Sequence, residues 1–214
     1  MPQQPAPAPA DPDPSRNQRA ANRVALLLRA GKLVSEQGEF LCILRDASTG
    51  GLKARLFHEL PAAQRFAVEL ANGQRFPIDL VWQRDGHAGF RFRDGPVAVH
   101  GLIDEPSSFP RRDIRLRVNA PVAVRLGEEQ FSGQLCDLSQ NGAQIEIAPP
   151  LAIGQQVSLA IEGLPAIVAK VRWRRGAAHG VIFQRGFRLD ELAQLVGRLQ
   201  HEPFEAPGNA AKPV

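Results

Sequence analysis

An internal offset of 91 residues constrains this chain more than any other feature. The segment DASTGG, Asp46 to Gly51, returns as DLSQNG, Asp137 to Gly142, so one Asp-x-Ser-x-x-Gly pattern occurs twice. The same offset carries Trp82 onto Trp173, Gly89 onto Gly180 and Phe92 onto Phe183, and apolar Phe40, Leu44, Phe76 and Leu80 onto Phe131, Leu135, Ile167 and Val171. Two arginines spaced four apart precede each acidic motif: Arg19 and Arg23 before the first, Arg111 and Arg115 before the second. The second arginine stands 23 residues before the aspartate in one copy and 22 in the other. A period this long exceeds the roughly 20 to 50 residues of a solenoid repeat and indicates two copies of a domain-sized unit.

Within each copy, short apolar stretches alternate with turn formers. FLCIL, GLKARLF, RFAVEL, RFPIDLVW and GFRF are separated by STGG, ANG and RDGH, a β pattern. The second copy opens with Ile114, Leu116, Val118, Ala120, Val122, Val124 and Leu126 at period two, as a strand with one buried face requires. The corresponding segment of the first copy, VALLLRAGKLVSEQGE, lacks that clean alternation. After the last strand, Leu189, Leu192, Leu195, Val196 and Leu199 fall at helical spacing. The expectation is an all-β fold of two tandem small antiparallel barrels, the second followed by a C-terminal α-helix. The expected boundaries are a disordered Pro/Ala-rich tail at 1–15, a first barrel at 16–100, a linker at 101–110, a second barrel with its helix at 111–200, and a flexible tail at 201–214.

Composition narrows the function classes. Some 43% of residues are hydrophobic, enough for two cores. Apolar runs are broken by charge well short of the about 20 residues needed for a membrane helix. The N-terminus MPQQPAPAPADPDPS has neither the basic start nor the apolar segment of a secretory signal, so a cytoplasmic protein is expected. A net charge of +4 and a pI near 9.7 favour an anionic partner. Cys42 and Cys136 occupy non-equivalent repeat positions with no ligand-spaced neighbour and read as packing residues. Trp82 and Trp173 read as core or strand residues, and His87 and His179 as surface turn residues. Arg172 and Arg174 flank Trp173 and, by strict alternation, share one solvated face.

The paired motifs form a binding constellation rather than a catalytic one, because no base stands beside a poised nucleophile and no metal cluster is present. The expected protein is therefore not an enzyme, and no cofactor is implied. An arginine fork can grip a phosphate or the O6/N7 edge of guanine. A carboxylate complements the N1/N2 edge, which offers only donors. Serine adds a further donor or acceptor, and glycine permits close backbone approach. Each acidic motif, taken alone, also fits a β-turn in which the acid bonds its own backbone, and Arg19 and Arg23 also fit a solvated helix face.

RRDIR from Arg111 to Arg115, then APV at Ala120, DLSQNGA from Asp137, VRW and HGVIF together resemble the PilZ domain family over nearly all of the second copy. That resemblance implies a small β-barrel receptor for the bacterial messenger cyclic di-GMP, with Arg111, Arg115, Asp137, Ser139 and Gly142 as ligand residues. The first copy keeps the corresponding Arg19, Arg23, Asp46, Ser48 and Gly51, so a second site is open. The resemblance further implies a downstream protein partner such as a flagellar motor, a polysaccharide synthase or a regulator. Arg111 and Arg115 stand where the connector enters the second copy, so ligand binding there is expected to change the arrangement of the domains. The alternative from residue chemistry alone is a basic β-barrel module for single-stranded nucleic acid. It has few stacking platforms, since the chain contains no tyrosine.

Overall fold

The computed structural model describes residues 24–63, 65–98, 102 and 113–201, with side chains from residue 29 to 200. Arg19, Arg23 and Arg111, the segment 1–15, and most of 101–110 and 201–214 lie outside the described residues. The chain forms two closed antiparallel barrels of six strands each. The first comprises β1 (Val24–Ser35), β2 (Gly38–Ser48), β3 (Gly51–Leu56), β4 (Phe66–Glu69), β5 (Arg75–Arg84) and β6 (His87–Phe92), joined in the order β1-β2-β3-β6-β5-β4. The second repeats this with β7 (Leu116–Leu126), β8 (Glu129–Leu138), β9 (Gly142–Ile147), β10 (Gln156–Ala160), β11 (Ile167–Arg175) and β12 (Ala178–Phe183), joined as β7-β8-β9-β12-β11-β10. Closure leaves neither sheet with a free edge, which is how small all-β domains avoid edge-to-edge association.

Strand β7 follows its sequence periodicity: Leu116, Val118, Ala120, Val122 and Val124 are buried while Arg117 and Asn119 face out. Strand β1 occupies the segment without clean alternation, and its pairing with β2 shifts register between Ala25 and Arg29. The RDGH turn closes the β5–β6 hairpin through Asp85 and Gly86, both at positive φ, as a two-residue loop between right-twisted strands requires.

Four β-bulges decide which way the site residues point. Arg45 is the extra residue of β2 opposite β3, and Cys136, at the same repeat position, is the extra residue of β8 opposite β9. Val81 and Arg172 play that part in β5 and β11. An extra residue inverts the side-chain phase beyond it. Leu135 and Val171 are buried in the second core; strict alternation would send Asp137 and Trp173 after them, and the bulges turn both to the outer face. Of the two places expected for the tryptophans, core or strand, both take the strand and neither is in the core: Trp173 is 38% exposed on the outer surface. The bulge also undoes the shared face of Arg172 and Arg174. Arg174 lies opposite His179 and donates to the Leu151 carbonyl at 3.3 Å.

His179 is fully buried, contrary to its expected place on the surface. Its Nε2 accepts the Leu151 N–H at 3.1 Å, and its Nδ1 lies 2.7 Å from the Ala177 carbonyl, so the ring carries its proton on Nδ1 and pins the β9–β10 connection to the β12 turn.

The helix α1 (Leu189–His201) starts with one half of a capping box, in which the Glu191 carboxylate accepts the Arg188 N–H at 2.8 Å. Leu192, Ala193, Leu195 and Val196 bury its apolar stripe in the second core. The helix also reaches the first barrel: Gly197 lies against His58, and Gln200 lies against Gly38 while donating to the Arg117 carbonyl at 2.8 Å. Strand β2 completes the junction. Both of its faces are buried from Glu39 to Cys42, because Phe40 and Cys42 enter the first core while Leu41 joins the second.

Candidate functional site

Across the outer face of the second barrel runs one continuous row of paired residues. Trp173 on β11 pairs with Gly180 on β12, Gly180 with Gln144 on β9, and Gln144 with Asp137 on β8. The indole lies flat on Gly180, since a Cβ there would stand 1.9 Å from Trp173 Nε1. Asp137 Oδ1 accepts the Gln144 N–H at 3.2 Å and an Arg115 Nη1 hydrogen bond at 2.7 Å. Two sequence-selected residues, Arg115 and Asp137, thus meet directly, with an indole at the far end of the row.

This row forms one wall of a cleft of about 550 Å³. The other wall belongs to the first barrel, through Lys32, Glu69 and Gly73. The volume lies within the range of about 300–1,000 Å³ usual for small-molecule sites. Burial pushes the Glu69 carboxyl up, but hydrogen bonds and charge from Lys32 and Arg75 outweigh it and leave the group below its ordinary range. The Cys136 thiol, in the bulge beside Asp137, is raised by burial and by the nearby Glu146 and Asp137 charges.

Ser139 and Gly142 take a different part from Asp137. Ser139 is buried, and both its hydroxyl and its N–H donate to the Gly142 carbonyl, at 3.2 and 2.8 Å. A Cβ on Gly142 would come within 2.3 Å of the Val181 carbonyl oxygen. These two residues close the turn that follows Asp137 and admit β12 beside β9. The turn is held by Ser139 and Gly142 rather than by the acid, since Asp137 accepts the Gln144 N–H of the neighbouring strand and lines the cleft.

The first barrel repeats the row as Trp82, Gly89, Lys53 and Asp46. Trp82 lies over Gly89, where a Cβ would stand 2.1 Å from Nε1. A cleft of about 410 Å³ is lined there by Asp46, Ser48, Gly51 and Trp82 among others. Ser48 donates to the Gly51 carbonyl at 3.3 Å, as in the second copy. The chemistry differs at two points. Lys53 replaces Gln144, and the Trp82 ring carries cations of its own, with the Arg84 guanidinium 5.3 Å and Lys53 Nζ 6.0 Å from its centroid.

Sequence reasoning missed Gln144 and the tryptophan–glycine pair as parts of the site, along with the contribution of Lys32 and Glu69. The pairs Trp82/Gly89 and Trp173/Gly180 were visible as repeat-conforming positions, but only the bulges show that they face outward. Among the described residues no cluster of three or more His, Cys, Asp or Glu could hold a metal ion, and no helix is long and apolar enough to cross a membrane.

Comparison with protein families matches the PilZ domain twice, over residues 17–105 and 109–199. No curated protein sequence matches the chain. Solved structures with similarity to it include the PlzA protein of Borreliella burgdorferi in complex with c-di-GMP, at 12% identity over 87% of this chain and 99% of that one, with a TM-score of 0.35. Others are YcgR of Escherichia coli in complex with c-di-GMP (14% identity, 81% of this chain and 84% of that one, TM-score 0.31) and the Bacillus subtilis inhibitor of motility MotI/DgrA (15%, 82% and 98%, TM-score 0.35). Similarity at this level says nothing by itself about ligand or partner.

Proposed function

Since the chain belongs to the PilZ domain family, we propose that it is a non-enzymatic cyclic di-GMP receptor whose ligand occupies the cleft between its two barrels. The observation that carries the reading is the row from Trp173 through Gly180 and Gln144 to Asp137, with Arg115 bonded at its end. Asp137 accepts from the donor edge of guanine, Arg115 donates to phosphate or to the O6/N7 edge, and the indole face takes a stacked base. Gln144 adds an amide able to donate and accept. Arg111 is assigned with Arg115 because the family resemblance pairs them. Ser139 and Gly142 act by holding the turn next to Asp137.

The second barrel is the primary site in this reading. In the first, Asp46, Ser48 and Gly51 form a secondary candidate with Arg19 and Arg23, but a base stacking on Trp82 must compete with Arg84 and Lys53. No observation favours the single-stranded nucleic-acid alternative. A ligand touching both walls of the cleft binds best to the arrangement that brings them together, and a downstream protein reads that arrangement.

Calorimetric titration with cyclic di-GMP tests the assignment. Wild type binds, and Arg115→Ala or Asp137→Ala each weakens binding by roughly ten- to a hundredfold, the range of a bidentate base contact. A wild-type protein that gives neither heat nor saturation refutes the receptor reading. Scattering curves that superimpose with and without saturating ligand refute the change of arrangement.

A further inference from the structure

The first barrel sets a cluster of three charged side chains beside the segment that runs from Arg115 into β7. Lys32 and Glu39 are 6% and 5% exposed, on the outer face of their barrel. Lys32 Nζ donates to Glu39 Oε2 at 3.0 Å, to the Arg115 carbonyl at 3.0 Å, and pairs with Glu69 Oε1 at 3.1 Å. An ammonium has three donors, and all three are used. Glu39 Oε2 in turn accepts the Arg117 N–H at 2.8 Å. Two side chains of one barrel thus hold the backbone of the other on both sides of Leu116, whose own side chain is fully buried.

The repeat isolates what this cluster is for. Lys32 pairs with Leu41 and Glu69, and Glu39 with Val34; the second barrel has Ala123, Ala160 and Gln130 in the places of Lys32, Glu69 and Glu39. The charges stand only in the copy that faces the Arg115 strand. Burying ionised groups is costly unless they are fully paired, and fully paired groups tolerate few geometries. We propose that Lys32 and Glu39 are positioning residues for the cyclic di-GMP site of the second barrel, clamping the Arg115–Arg117 backbone so that the Arg115 guanidinium meets Asp137 and the ligand.

The inference rests on the ligand assignment above, and a double-mutant cycle separates the two. Cyclic di-GMP affinity is measured for wild type, Lys32→Met, Arg115→Lys and the double variant, with Arg93→Met as a control that removes a surface cation paired to Asp79. Lys32→Met weakens binding by about tenfold or more, as expected for loss of charged hydrogen bonds, and Arg93→Met leaves it unchanged. In the Arg115→Lys background Lys32→Met adds little, because positioning acts through the arginine fork. Lys32→Arg restores part of the affinity. Glu39→Gln gives a second reading that keeps the shape of the junction: it weakens binding and speeds hydrogen exchange at the Arg117 amide. Wild-type affinity in folded Lys32→Met and Glu39→Gln, or fully additive losses in the cycle, overturns the positioning role while leaving the receptor reading intact. Failure of wild type to bind overturns both.

Discussion

One methyl group added at Gly180 tests whether the Trp173 indole is a working surface. A Cβ built there stands 1.9 Å from Nε1, 2.1 Å from Cε2 and 2.6 Å from Cδ1 of the ring, whereas ordinary contact begins near 3.4 Å. The ring must therefore lift by about 1.5 Å, more than a dispersion contact tolerates. Because Gly180 faces outward, the core beneath it keeps its packing, and the stability cost of Gly180→Ala lies at the low end of overpacking, about 1 kcal/mol. For a barrel of this size that is a fall in Tm of roughly 4–8 °C. The ligand loses more. A base–aromatic stack contributes about 1–3 kcal/mol, so displacing the platform weakens cyclic di-GMP binding by roughly ten- to a hundredfold. Gly89→Ala is the matched control, since its Cβ would strike Trp82 at 2.1 Å in the first barrel. It should cost similar stability and leave the main binding event in place. Calorimetric titration and thermal melts on both variants decide the matter. Unchanged affinity in Gly180→Ala, or a loss confined to Gly89→Ala, refutes the placement of the ligand against Trp173.

The two thiols and one carboxylate make further tests. Burial pushes the Cys42 thiol up to about 12, partly offset by a backbone hydrogen bond from Gly31, whereas Cys136 is also raised but only half-buried. Iodoacetamide on the native protein should label Cys136 slowly and Cys42 only after unfolding, as peptide mass spectrometry reports. Glu69 has a folded pKa below its ordinary value of 4.5, so its contribution to stability is fully present above that value and is lost as pH falls through the lower, folded one. Thermal melts between neutral and acidic pH should show wild type losing stability more steeply than Glu69→Gln in that acidic window, and parallel curves would refute the assignment.

The repeat, the strand pattern and the terminal helix were legible in the sequence because each is written in local periodicity. Period-two burial in β7 and the helical spacing from Leu189 to Leu199 both appear in the fold as the sequence implies. Arg115 and Asp137 were both singled out by a spacing shared between copies, but the hydrogen bond between them was not. What failed was the strict alternation carried across the bulge at Arg172, which put Arg172 and Arg174 on one face. One extra residue at Cys136 and one at Arg172 invert the face of everything after them, so Asp137 and Trp173 point outward and Arg174 lies opposite the buried His179. A bulge depends on the register in which two strands pair, and neither strand's own apolar pattern records it.

The junction was hidden for the same reason. Nothing in the sequence sets Lys32 on β1 and Glu39 on β2 apart from other charged strand residues, and their burial depends on the second barrel against them. The sequence by itself determined that there are two barrels and offered Arg115 and Asp137 as candidates for binding chemistry, since side-chain type and period are local properties. Only the tertiary structure decided which of those residues share a cleft, because that depends on bulges, closure and docking, which bring together residues from β1, β4, β8, β9 and β11.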